Sequence, residues 1–227
     1  MPIAFDAFAH NHSESAATTL GWDHTCSGSN LALIVSMFGE DAASADNTIT
    51  GVTYDGVALT KGFVDNFKTT ANLDNTDMWY LLSPANGTKS IVATYAGSCT
   101  VRGGVSASFT GVLLFEGVST ATGTGDTPSV SRTTTANNAW VIDSLGVNIT
   151  STATPGAGQT ATQNDDTGTQ AHHGQSYEGP KTPAGAVTMS YTGGGPADTW
   201  AIIAGSFSPV DAGTAATTPT LLTLGVG

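Results

Sequence analysis

One stretch of this chain is written twice. Residues 84–109 read PANGTKSIVATYAGSCTVRGGVSASF, and residues 183–207 read PAGAVTMSYTGGGPADTWAIIAGSF. Each has a Pro-Ala turn with Gly close behind and a β-type run ending in Tyr (Tyr95, Tyr191). Each then has a Gly-containing loop and a run ending in Ser-Phe (Ser108-Phe109, Ser206-Phe207). A fainter match lies upstream, CSGSNLALIVSMFG at 26–39 against TTANNAWVIDSLG at 134–146. The matches keep the same order in both halves, which predicts one β unit used twice. This constrains the fold strongly and the chemistry hardly at all.

The local pattern is β throughout. No long stretch carries apolar residues at helical spacing, whereas short alternating runs bounded by Gly, Pro, Asn and Asp recur. Leu31-Ala32-Leu33-Ile34-Val35 is apolar on both faces and reads as a central strand. Asp55-Gly56 between Val52-Thr53-Tyr54 and Val57-Ala58-Leu59 signals a tight hairpin, since a type I′ turn needs positive φ at both central residues. Alternation puts Ile91, Ala93 and Tyr95 on one face, and likewise Val187, Met189 and Tyr191. Val105, Ala107 and Phe109 share a face, as do Ile203, Gly205 and Phe207. Thr94, Ser106, Ser108, Thr188, Ser190 and Thr192 fall on the opposite, wet faces. The expected fold is all-β: a jelly-roll-like antiparallel β-sandwich of about a dozen strands with an internal duplication. It occupies residues 1–210, in halves of about 1–117 and 118–210. Residues 211–227 have no counterpart and read as a C-terminal arm.

Charge narrows the partners. The chain of 227 residues has 6 basic against 18 acidic residues, a net −12. Lys61, Lys68, Lys89, Arg102, Arg132 and Lys181 are scattered, so nothing here displaces counterions from phosphates, and nucleic acid is rejected as a partner. An anionic membrane surface is disfavoured on the same ground. Charged residues are only 11% of the chain, against about 25% in an average domain. Ser, Thr, Asn and Gly must carry solubility, which suits a packed setting. Met1-Pro2-Ile3 opens without a basic leader, which predicts either use without secretion or a leader already removed. Cys26 and Cys99 could pair, and are expected to remain unbridged thiols if the protein assembles in a reducing cytoplasm.

No nucleophile elbow, phosphate loop or zinc-protease motif occurs, so no catalytic residue is assigned. His10 and His12 share a strand face, and His24, His172 and His173 lie elsewhere. Their spacing completes no metal site. Asp74, Asn75 and Asp77, then Asn164, Asp165 and Asp166, then Glu40, Asp41, Asp46 and Asn47 form oxygen-rich clusters. They read as turn residues first and calcium loops second, so no cofactor is implied beyond that calcium option. Of the tryptophans, Trp79, Trp140 and Trp200 sit in apolar runs. Trp22, beside Gly21 and Asp23, is the expected exposed ring and hence the candidate for glycan stacking. In the arm, Leu221, Leu222, Leu224 and Val226 form an apolar tip expected to bind another chain.

The segments GVTYDGVALT, MWYLLSPANGTKSIVATYAGS and DTWAIIAGSFSP resemble β-sandwich domains with the pattern V-T-Y-x-G-V-x-L-T … W-Y-L-x-x-P-x-x-G-T. Such domains occur in phage structural proteins and in bacterial surface or secreted proteins. The resemblance implies binding or structural roles and transfers no active-site residue. It implies a non-enzymatic virion protein, a capsid decoration or accessory protein of a tailed phage. Its partners would be capsid or other virion proteins and further copies of itself. The alternative it implies is a glycan-binding or adhesive module, secreted or on a bacterial surface.

Overall fold

A computed structural model describes residues 1–41, 47–62, 67–68, 74–147, 153–166, 172–193 and 195–210. The arm 211–227, with Leu221, Leu222, Leu224 and Val226, lies outside them.

The described chain is all strand and turn. Its first half runs β1 (Ala4–Ser13), β2 (Ala17–Cys26), β3 (Ala32–Glu40), β4 (Ile49–Tyr54), β5 (Val57–Ala58), β6 (Thr60–Lys61), β7 (Phe67–Lys68), β8 (Asp74–Leu82), β9 (Gly87–Cys99) and β10 (Val101–Thr110). The second runs β11 (Val112–Thr124), β12 (Ser129–Thr133), β13 (Ala139–Val147), β14 (Thr154–Pro155), β15 (Thr160–Asp166), β16 (His172–Lys181), β17 (Ala186–Thr192) and β18 (Thr199–Pro209). The change of sheets falls at Gly111.

Four antiparallel sheets form. Two inner sheets are ordered β1-β10-β3-β8-β6 and β11-β18-β13-β16-β15, and two outer sheets β2-β9-β4-β5 and β12-β17-β14. Each half lays its strands down in the same order. The first and last strands of a half are neighbours in its inner sheet, and its second and next-to-last are neighbours in its outer sheet. Each outer sheet covers its own inner sheet. Trp22, Leu33, Val35, Met37, Tyr54, Ile91 and Tyr95 fill the first sandwich, and Val141, Leu145, Val187, Met189, Tyr191 and Ile202 the second. Asp55 (φ 51°) and Gly56 (φ 78°) make the expected positive-φ turn between β4 and β5.

The inner sheets pack on each other through Ile34, Met78, Ala107 and Phe109 on one side and Ile142, Ile203 and Phe207 on the other. β3, β10, β13 and β18 are therefore buried on both faces, which explains the doubly apolar run at 31–35. It also corrects one expectation. Ser106 and Ser108 do not face water but are fully buried between sheets, as is Ser206.

The contact between halves is reciprocal. Phe5 stacks on Tyr177 of the other half at 5.3 Å and meets Phe109 edge-on at 5.8 Å. Phe115 packs on Tyr80 of the other half at 4.2 Å and on Phe207 at 5.1 Å. Each Phe pairs in register with its partner on the last strand, Phe5 with Phe109 and Phe115 with Phe207. Self-complementary contacts of this kind are the signature of a two-fold interface, here within one chain. Further along, polar groups cross the same interface. Gln175 Nε2 donates to Ser36 Oγ at 2.7 Å, and Thr76 Oγ1 meets Ser144 Oγ at 2.8 Å.

Phe109 and Phe207 are each 3% exposed. Phe109→Ala and Phe207→Ala should each cost about 3–5 kcal/mol, measured by urea unfolding. A loss below about 1 kcal/mol for either would contradict a shared, closely packed interface.

Candidate functional site

Chemistry-bearing side chains gather where the first, second and last strands of each half meet. In the first half β1 carries a bulge. Phe5 pairs with Phe109 and Ala7 with Ser108, so Asp6 is the extra residue. A bulge re-aims its side chain out of the regular alternation. Asp6 accepts from the Ser27 N–H (2.9 Å), the Ser27 hydroxyl (2.6 Å) and the Ser108 hydroxyl (2.7 Å). Ser108 Oγ lies 3.0 Å from His24 Nε2, and His24 Nδ1 lies 2.9 Å from Ser106 Oγ, which accepts from Trp22 Nε1–H at 2.9 Å. With a neutral ring, one proton arrangement satisfies the whole chain. Trp22 donates to Ser106, Ser106 to His24, His24 to Ser108, and Ser108 to the carboxylate.

The second half builds the same device from different residues. Phe115 pairs with Phe207 and Gly117 with Ser206, so Glu116 is the extra residue of an equivalent bulge. Glu116 accepts from the Thr135 N–H (3.1 Å), the Thr135 hydroxyl (2.8 Å), the Ala136 N–H (3.1 Å) and the Ser206 hydroxyl (2.8 Å). Arg132 Nε donates to Ser206 Oγ at 2.9 Å, and Arg132 Nη1 to the Val118 carbonyl at 3.2 Å. Acid, serine and base thus occupy first, last and second strands in both halves, and the acid holds the turn that follows the second strand.

An Asp, a Ser and a His in contact invite a comparison with hydrolytic triads. The connectivity is different. In a triad the imidazole lies between acid and hydroxyl and takes the hydroxyl proton. Here the hydroxyl lies between acid and imidazole, and Ser108 is fully buried. Burial holds the His24 pKa down at about 4, against a weaker upward pull from Asp6. Burial pushes Asp6 up, but the hydrogen bonds from Ser27 and Ser108 outweigh it and leave its pKa below the usual carboxylate value. The position equivalent to His24 holds Arg132, which cannot serve as a base near neutrality. What the two constellations share is hydrogen bonding across three strands.

A third acid, fully buried, has no equivalent. Asp143 on β13 faces the core of the second sandwich, where the register of the halves puts Val35 in the first. It accepts from the Ser176 N–H (2.7 Å), the Ser176 hydroxyl (2.9 Å) and the Tyr191 hydroxyl (2.8 Å). Burial pushes its pKa up to about 7 despite those donors. Tyr95, the counterpart of Tyr191, donates instead to the Phe38 carbonyl at 2.6 Å.

The other sequence candidates separate. Trp22 is not an exposed ring. It is 8% exposed, inside the first sandwich. Alternation along β2 sends Leu20, Trp22, His24 and Cys26 inward and Gly21 and Asp23 outward, and that signal outweighs the polar neighbours. Gly104 makes room for the ring, since a Cβ there would stand 2.3 Å from it. His10 and His12 do share the exposed face of β1. Asp41 accepts from the Thr100 N–H (2.8 Å) and hydroxyl (2.7 Å), Asn75 Nδ2 donates to the Asn47 carbonyl at 3.0 Å, and Asp77 pairs with Lys61 at 3.1 Å. Asp46 lies outside the described residues. Among the described residues no three His, Cys, Asp or Glu side chains gather as a metal-binding group. Cys26 and Cys99 are free and buried. Cys26 pairs with Gly87 and Cys99 with Ala17, so they sit at opposite ends of one ladder. A ladder of that length separates them by roughly 30 Å at about 3.4 Å per residue. A cavity of about 10 Å³ lined by Ile3, Phe109, Trp140, Tyr177 and Phe207 lies between the sandwiches. It is at the lower limit for one water.

No protein-family model matches the chain, and no curated protein matches it. Among solved structures, the crystal structure of the major capsid protein P2 from bacteriophage PM2 is similar over 91% of this chain and 100% of that one. The identity is 6% and the TM-score 0.26. This is a loose likeness, and no residue is carried over from it.

Two of the shifted groups, His24 and Asp143, make opposite predictions about pH. His24 titrates near 6.5 when unfolded and about 4 when folded, so the unfolded chain takes its proton first. Its contribution to stability is lost as pH falls from about 6.5 to 4. Asp143 titrates near 3.8 when unfolded and about 7 when folded, so its contribution is lost as pH rises through that window. The two slopes oppose each other in the natural chain. Asp143→Asn should leave the His24 slope alone, with a melting temperature that rises by several degrees from pH 4.5 to 7. A variant that melts at the same temperature at both pH values would contradict the assignment.

Proposed function

We propose that the protein is a non-enzymatic structural component of a virion, a capsid decoration or accessory protein of a tailed phage, acting through protein–protein contacts. One observation carries this reading. The acid–serine–base groups that could do chemistry recur in both halves as cross-strand ties with their hydroxyls buried. The surfaces left for partners are lined mainly with hydroxyls. The outer face of the first outer sheet presents Thr19, Thr25, Thr88, Ser90 and Thr94, and that of the second Ser129, Ser131, Thr133, Thr188 and Thr192, all exposed. Such faces suit close packing against a shell or neighbouring copies, where a net charge of −12 opposes contact elsewhere. On this reading the shared strand order is a jelly-roll winding used twice, and residues 211–227 extend to a neighbour. The burial of Trp22 removes the ring on which a glycan-binding alternative rested.

Quantitative mass spectrometry of purified particles from the producing culture tests this reading. A fixed copy number per particle, resistant to salt washing, is expected. Absence from particles, with the protein recovered free or on the cell surface, would overturn it.

A further inference from the structure

We propose that the outer edge of β11, at residues 119–124, is a pairing surface for the same edge of a second copy of this chain. Among the described residues β11 ends its inner sheet and pairs within it only with β18. Its two bulges lie early, before Gly117. From Gly117 to Thr124 the register with β18 is unbroken. The segment Val118-Ser119-Thr120-Ala121-Thr122-Gly123-Thr124 has no charge and no proline, and Thr120, Thr122 and Thr124 are exposed. A regular, uncharged edge strand is a template for strand addition, and proteins that avoid it use charges, prolines, bulges or a covering segment.

The other half shows what a guarded edge looks like at the equivalent place. β1 also ends its inner sheet, but its outer side is occupied. On that side Asn11 Nδ2 donates to the Gly21 carbonyl of β2 at 2.9 Å. Arg102 ties Ser13, Ser15 and Thr19 together at its end. β2 follows β1 after only Glu14, Ser15 and Ala16, which draws it across that side. On β11 the ties among the described residues, Glu116 to Thr135 and Ala136 and Arg132 to the Val118 carbonyl, end before residue 119.

The occupant follows from charge and symmetry. Copies carrying −12 each repel unless they meet through uncharged surface, and this edge is uncharged over its whole regular length. Antiparallel pairing of identical strands is self-complementary and closes as a dimer. A two-fold axis at Ala121 sets Thr120 opposite Thr122 of the second copy, a favourable cross-strand pair. The two inner sheets then run on as one. This deepens the assembly reading above, yet its test uses the isolated protein, so absence from virions and absence of the dimer are separate results.

Sedimentation velocity across a dilution series, with hydrogen exchange at the highest and lowest concentrations, tests the inference. The natural chain should be a dimer when concentrated and dissociate on dilution, with amides at 119–124 protected only in the dimer. The double variant Thr120→Lys/Thr122→Lys, which places like charges face to face, should weaken dimerisation at least about tenfold with an unchanged melting temperature. A natural chain that stays monomeric, or a variant that dimerises as well as the parent, would overturn the proposal. If the variant melts early, the exchange data on the natural chain decide. Protection at 119–124 that does not change with concentration overturns it as well.

Discussion

The fold depends on a carboxylate set on a bulge. A sandwich must hold its outer sheet over its inner one, and one seam runs where the second strand turns back beside the start of the first. Asp6 and Glu116 stand at that seam in the two halves. Each binds the turn after the second strand through backbone and hydroxyl donors, and each is tied to the last strand through a serine. Hydrogen bonds to an ionised acceptor are the stronger kind, about 1.5–3 kcal/mol each. The regular alternation of a strand would point these carboxylates straight into the core or straight into water. The extra residue lets them lie along the seam.

Once each sandwich is closed, its inner sheet has an apolar outward face to bury. The halves bury these faces against each other, and the reciprocal pairs Phe5–Tyr177 and Phe115–Tyr80 show that they use the same positions. The halves differ inside. His24 stands where the other half has Arg132, and Val35 where it has Asp143. Position is kept while chemistry changes, as expected when hydrogen-bond geometry is what a site must preserve.

Much of the fold was legible because turn chemistry and alternation are local. The doubly apolar run at 31–35 and the Asp55-Gly56 turn stand in the structure as the sequence implied. The ties were not legible, because their members lie far apart in sequence. Asp6, His24 and Ser108 meet only through the sheet order. A bulge shifts Asp6 out of phase, so alternation misplaces it. The repeat also drifts: Glu116, Thr135 and Ser206 lie at different separations from Asp6, Ser27 and Ser108, and no single period aligns all three pairs. Ser106 and Ser108 looked wet because one strand does not reveal that β2 of the outer sheet covers the face opposite Ala107 and Phe109. Asp143 did leave a trace, as the lone charge in the apolar run Trp140-Val141-Ile142-Asp143-Ser144-Leu145.

The central claim is that the buried acid–serine–base chains hold sheets together and do not move protons for a reaction. Imidazole resonances of His24, followed by heteronuclear NMR through a pH titration, test it most directly. The account predicts a neutral ring across the neutral range, one tautomer with the proton on Nε2, and titration only near pH 4. A ring that titrates near 7 and exchanges its proton rapidly with solvent would contradict it, because that is the behaviour of a general base.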